Sequence, residues 1–509
     1  MARPFIHLTL LTHLTCLTFA GSAHAATLAD PQVDAYNVRV GTQTFAGRYQ
    51  FTTNTLLVET AQAIRDLGSD IIKLYLGSGL RDQYRITLPA HVTNLVTLAR
   101  DEPSCRPVLD MPFRHLIAWT YPFSTSEASW ANGYSGQART NEYRELYEFT
   151  RYLLTNYNDS GKSFYLGHWE GDWLLLQNYN ANTNPTPTAI QGMVDWLNNR
   201  QQAIDNAKRN TPFTNVNVLG YTEVNRVRDA MVGGQNVNQR VINKVVPCVT
   251  NLDFLSWSSY DGMGLSGPDL QATLNYMESM LPANKAGTMS GPRIWIGEYG
   301  WGHLATDAQE PLTRAYIQRL LPCRPRFILF WEIYNNEPNR NFCLVDSNNI
   351  QTACWYLHQR FINRARLAAA QFLETNRRLP NGREFAALTT PILNQFLPSP
   401  IALSINNDSV TWVSNSVARV SGTLTQGIYG DECATVWVWY GRHDGGSSER
   451  GWEQSRRVGL NTNFNPMTFT ADLTDLAPAT NSYLRFYATN ATAAAWAPSS
   501  TQFETPSLR

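Results

Sequence analysis

The chain is 509 residues long, 43% hydrophobic and 12% aromatic, and its formal net charge is zero. Balanced charge gives no electrostatic case for nucleic acid or an anionic membrane surface, and the length supports one large core with a further domain. The aromatic richness, with 15 Trp and 23 Tyr, fits either a big core or a protein that handles carbohydrate, and composition does not choose between them.

Residues 1–25 read as a secretory signal: Arg3 starts it, residues 5–20 form a Thr-diluted apolar stretch, and Ala23-His24-Ala25 is a small-residue cleavage site. No later stretch approaches about 20 uninterrupted apolar residues, so a chain without a membrane span, exported to the periplasm or the extracellular space, is expected. Cys16 falls within the signal. Six cysteines remain (105, 248, 323, 343, 354 and 433), an even number that favours disulfides in an exported protein. Cys343 and Cys354 flank a short loop and are the expected pair. None has C-x-x-C spacing, so no structural zinc site is expected.

From residue 44 onward, short β-branched or aromatic runs alternate with longer helical patterns. Strands are expected at 44–49, 70–76, 114–121, 163–170, 216–221, 252–257, 294–296 and 327–332, with helices at 55–67, 90–100, 142–154, 189–209, 270–281, 311–321 and 355–377. Eight such alternations over about 330 residues predict a (β/α)₈ TIM barrel, an α/β fold, spanning residues 26–396. Several strands are continuous apolar runs, as expected when both faces are covered. No Gly-rich phosphate loop follows the first strand to favour a doubly wound sheet. Pro398-Ser399-Pro400 reads as a hinge. Residues 401–509 hold only strand-like runs, at 410–413, 418–424, 435–440, 467–473 and 483–489, and predict a small all-β sandwich. The segment 473–490 resembles the closing half of a fibronectin type III module.

Catalytic groups of such barrels sit at the carboxyl ends of the strands. Those ends carry Glu170, Glu223, Tyr260, Glu298, Trp331 and Glu332. Two carboxylates facing each other among aromatic rings meet the needs of glycoside hydrolysis, where one acid donates a proton and the other attacks or activates water. A Glu after strand four, a Tyr after strand six, a Glu on strand seven and a Trp on strand eight resemble the clan A glycoside hydrolases. That resemblance implies Glu170 as general acid/base, Glu298 as nucleophile, Tyr260 as its hydrogen-bond donor and Trp331 as a subsite floor, with retention of configuration. The clan's Asn before the acid/base is here Trp169, and Glu223 is the alternative acid/base.

Tyr299 and Trp301 are expected to face sugar with Trp331, and Trp169 and His168 to line the site. Glu332 reads as a partner to an Arg, and Asp172 as a helper or loop residue. His168 and His303 flank the two carboxylates without H-E-x-x-H spacing, so neither catalytic metal nor cofactor is expected. The expected substrate is a polysaccharide or oligosaccharide and the expected state a monomer. The competing class is a non-catalytic carbohydrate-binding or adhesive surface protein on the same scaffold.

Overall fold

The computed structural model describes residues 31–283, 289–394, 403–412, 414–426, 434–461, 466–490 and 493–507, with the side chains of 233–237, 307, 460 and 461 left aside. The signal stretch 1–25, the hinge at Pro398 and Pro400, and Cys433 lie outside the described residues.

Eight parallel strands close into a barrel in sequential order. They are β1 (Val40–Gln43), β2 (Ile71–Leu76), β3 (His115–Thr120), β4 (Ser163–Gly167), β5 (Asn217–Val224), β6 (Phe254–Ser258), β7 (Ile294–Tyr299) and β8 (Ile328–Phe330). All but the first residue of β5 are buried, which is why these runs are apolar throughout rather than alternating. Inward-pointing rings fill the lower barrel. Tyr165, Phe254, Trp295 and Phe327 meet at centroid distances of 5.4 to 5.6 Å, so the interior is a packed core and not a pore.

Helices return each strand to the next, and their starts are written in the sequence. Ser135, Thr186 and Thr352 each accept a backbone N–H from three residues on, and Pro187 follows Thr186 as the first helical residue. The long helices Gly136–Asn156 and Pro187–Asn210 are tied to the barrel by Arg200. Its guanidinium pairs with Glu142 at 2.5 Å and donates to the carbonyls of Thr120 and Gly167, at the ends of β3 and β4.

Two expectations are corrected. The first strand is not 44–49 but Val40–Gln43, which pairs with β2 and β8. Residues 44–49 form the loop that follows, where Ala46 takes a positive φ that strand geometry does not allow. The disulfide between Cys343 and Cys354 is absent: both thiols are free, as are Cys105, Cys248 and Cys323. Cys354 lies in the first turn of helix Ala353–Asn376 and points its Sγ at Thr313 Oγ1, 3.6 Å away on a neighbouring helix.

Beyond the barrel, β9 (Leu403–Trp412), β10 (Ala418–Gln426) and β13 (Met467–Leu473) form one antiparallel sheet. A second holds β11 (Ala434–Gly441), β12 (Gln454–Asn461), β14 (Asn481–Thr489), β15 (Ala494–Trp496) and β16 (Thr501–Glu504). Alternate residues of β11 and β14 are buried, and Val420, Val436, Val438, Leu473 and Phe486 form the core between the sheets. The sandwich is as expected, with three strands added. Polar β12 pairs with β11 alone in its sheet, and such an edge strand carries no apolar alternation to read.

Candidate active site

The site begins with a lysine. Lys73 lies midway along β2 between Ile72 and Leu74, with its side chain fully buried. An ammonium there has lost its water and needs compensating charge. It finds two carboxylates: Glu223 Oε2 on β5 at 2.7 Å and Glu298 Oε1 on β7 at 3.1 Å. Burial works against the lysine's charge, yet the two glutamates outweigh it and hold the ammonium above its ordinary pKa. Trp119 lies beside it, its centroid 4.8 Å from Nζ. Phe45 stacks on Trp119 and stands 5.4 Å from Trp331, so a cluster of aromatic rings lies against the charged one.

Strand β6 supplies the hydroxyls. Ser256 and Ser258 point inward on either side of Trp257. Ser256 donates to Glu223 Oε2 at 2.7 Å; Ser258 lies 2.5 Å from Glu170 Oε1 and 3.3 Å from Glu298 Oε2. Two oxygens that share one hydroxyl at those distances stand under about 6 Å apart. Glu170 and Glu298 therefore face each other directly across the mouth.

A shift of register aims Glu298. On simple alternation Trp295 and Gly297 point into the barrel and Glu298 points out. Between Ile296 and Tyr299, β7 carries one residue more than β8, and the same slip against β6 sets Glu298 opposite Ser258. This bulge turns the carboxylate inward. Gly297 permits it, because a Cβ there would stand 1.9 Å from Ser256 Oγ and 2.8 Å from Glu223 Oε2.

The charge count is uneven. Glu223 and Glu298 share the one ammonium, while Glu170 makes no ion pair among the described residues. Burial pushes the Glu170 carboxyl up to about 7, against the opposing bond from Ser258. Burial also pushes Glu298 upward, with Lys73 pulling against it. Glu298, the more strongly raised of the two, has the ammonium beside it to favour its charged form, a partner that Glu170 lacks among the described residues.

Above the pair opens a cavity of about 310 Å³ lined by Trp169, Glu170, Trp173, Asn225, Arg226, Tyr260, Asp261, Glu298, Trp331 and Glu337. Asp172 builds one wall. Fully buried, it accepts the backbone N–H of Asn225 and Arg226 on Oδ2 and that of Val241 on Oδ1, fixing the loop after β5.

Of the expected site residues, Glu170, Glu298, Trp331, Tyr260 and Trp169 come together at this cavity. Tyr260 is half-buried on the cavity wall, and desolvation raises its hydroxyl pKa, but the hydroxyl that reaches Glu298 is that of Ser258. Tyr299 is turned away by the bulge. It is wholly buried among Tyr316 and Phe330, with its hydroxyl 3.2 Å from His358 Nε2, and belongs to the core. Trp301 packs edge-on against Tyr299 and Tyr316 and is not part of the cavity wall. His168 is buried below, its Nδ1 2.8 Å from the Trp169 carbonyl and its ring on Trp196. Burial lowers its pKa to about 3, so it is neutral and out of reach of a ligand. Glu223 is under the floor with no exposure, which suits a support and not an acid/base. Glu332 pairs with no arginine among the described residues; its carboxylate accepts the backbone N–H of Phe45 at 2.9 Å.

Lys73, Ser256, Ser258, Arg226, Asp261 and Glu337 were missed. A lysine inside an otherwise apolar strand was the available signal for the first. The small-large-small run Ser256-Trp257-Ser258 was the signal for the serines.

The fold and site together define a (β/α)₈ barrel with a paired-carboxylate cleft at the carboxyl ends of its strands. No protein-family model matches the chain, and no curated protein matches it. Among solved structures, a β-glucuronidase of Bacteroides uniformis aligns over 93% of this chain and 46% of its own, at 11% identity and a TM-score of 0.41. The endo-β-1,4-mannanase of Thermotoga petrophila aligns over 94% of this chain and 99% of its own, at 10% identity and a TM-score of 0.38. A β-glucuronidase of Parabacteroides merdae covers 93% and 49%, at 11% identity and a TM-score of 0.37. The chain thus spans about half the length of the glucuronidases it aligns with. The fold assignment rests on the closure of the chain's own eight strands.

Proposed function

We propose that the chain is a retaining glycoside hydrolase acting on a polysaccharide or oligosaccharide, with Glu298 as nucleophile and Glu170 as acid/base. One observation carries this: a Glu170 oxygen and a Glu298 oxygen share the Ser258 hydroxyl and so stand under about 6 Å apart, nearer the ~5–5.5 Å of retaining pairs than the ~6.5–9.5 Å of inverting ones. Their unequal surroundings supply the two required states, a proton on Glu170 and a charge on Glu298 beside Lys73.

In the first step a Glu298 oxygen attacks the anomeric carbon as the bond to the leaving oxygen breaks, and the Glu170 proton passes to that oxygen. In the second step Glu170, now ionised, takes a proton from water as its oxygen attacks the same carbon and releases Glu298. Trp331, Trp169 and Tyr260 offer ring faces to the sugar. The signal-like start of the chain supports export, which amino-terminal sequencing of the mature protein tests.

Replacing Glu298 by Gln is expected to lower hydrolysis by at least 10³-fold with the circular-dichroism spectrum unchanged. The anomer first released by the unmodified chain, followed by NMR, should match that of the substrate. Near-normal activity in E298Q, or a product of inverted configuration, rejects the assignment.

A further inference from the structure

We propose that the cleft selects glycans free of acidic groups, whether neutral or amine-bearing, and that Glu337 is a determinant of this selection; the inference rests on the glycosidase reading above. The cavity wall carries four carboxyl groups, Glu170, Asp261, Glu298 and Glu337, against one basic side chain, Arg226. Arg226 is already committed, with its Nε and Nη2 each 2.7 Å from Asp229 Oδ2 and its guanidinium 5.6 Å from the centroid of Trp173. Lys73, below the floor, is committed to Glu223 and Glu298. Among the described residues, no cation lining or directly beneath the cleft is left without a carboxylate partner to receive a sugar carboxylate or sulfate.

Glu337 differs from the other acids. Asp261 accepts Trp257 Nε1–H at 3.0 Å and the Arg228 backbone N–H at 2.8 Å, so both its oxygens are occupied. Glu337 is half-buried on the cavity wall and makes no ion pair or side-chain hydrogen bond among the described residues. Its oxygens are open to a hydroxyl or an ammonium donor. With Glu170 protonated, Asp261, Glu298 and Glu337 still outnumber the one guanidinium. A cavity of this size holds any sugar anion within a few ångströms of these groups, and like charges that close weaken binding by about 10- to 100-fold.

The test uses the full-length E298Q variant, so that binding is read without turnover. Calorimetric titration compares β-1,4-linked hexasaccharides of the gluco and manno series, each neutral and C6-oxidised, with the glucosamine hexamer as the cationic member. In at least one series the neutral hexamer should bind at least tenfold more tightly than its oxidised partner. The glucosamine hexamer should bind at least as well as cellohexaose. Adding E337Q should close the neutral-to-oxidised gap at least threefold. An oxidised hexamer that binds as tightly as its neutral partner, a gap untouched by E337Q, or no binding by any hexamer overturns the inference. A chain that hydrolyses polyuronates keeps the glycosidase reading and loses this one; a chain that hydrolyses nothing but binds in the stated order does the reverse.

Discussion

Glu170 ties a measurable pH dependence to one carboxyl. In the proposed acid role it must hold its proton, so hydrolysis should fall as pH rises through about 7, where burial has placed its pKa. An aryl glycoside whose leaving group needs no proton should keep its first step in E170Q and lose that alkaline limb. The same group weighs on stability. Its folded pKa stands above the ordinary carboxylate value, so its contribution is fully present below about pH 4.5 and is lost as pH rises to about 7. Replacing it by Gln removes that loss. The stability advantage of E170Q over the unmodified chain should grow between those pH values to about 3 kcal/mol and then level off, as urea titrations at several pH values would record. Lys73 acts through Glu298 and is a positioning residue. K73M leaves Glu298 beside Glu223 with no cation, so the acid limb of kcat/KM should move to higher pH, and K73R should restore it in part. A K73M profile that is merely scaled down would make the lysine structural only.

The seventh strand shows how far the sequence could be read. Glu298 was legible because a carboxylate at the end of an apolar run, met by an acid after strand four and aromatics on strands six and eight, has few other uses. The bulge was not legible. Nothing in Ile296-Gly297-Glu298-Tyr299 announces an extra residue, and register comes from pairing with β6 and β8, far away in sequence. Tyr299 was therefore assigned to the sugar when it packs on Tyr316 and His358. Lys73 failed for a related reason, since its two partners lie 150 and 225 residues away. Local pattern carried the eight-fold alternation well, because each βα unit is short and several of its helices start at a Ser or Thr cap. The first strand, Val-Gly-Thr-Gln, is too short and too polar to stand out. Gly297 makes the bulge testable. An alanine Cβ must displace Ser256 and Glu223, so G297A should cost about 1–3 kcal/mol of stability and lose most activity. Near-normal activity in G297A would mean that β7 tolerates another path to the same carboxylate.

At the scale of the molecule, the two apolar cores share no residue. One gathers buried side chains from Val38 to Leu393 around the barrel, and the other runs from Ile405 to Phe503 between the two sheets of the sandwich. Cores built from separate stretches of chain can melt separately, because the cooperativity of unfolding follows shared packing. The catalytic cluster belongs wholly to the first. Phe486 is central to the second: it is fully buried on β14 and so close to β10 that a Cβ on Gly422 would stand 2.6 Å from its ring. Truncating it to Ala removes a large ring from a small core and should cost the sandwich about 3–5 kcal/mol. Scanning calorimetry of F486A should then show the sandwich transition moved to lower temperature, with the barrel transition and the rate on soluble oligosaccharides in place. If both transitions move together, or hydrolysis falls in proportion, the sandwich is a structural part of the catalytic unit and the two cores act as one.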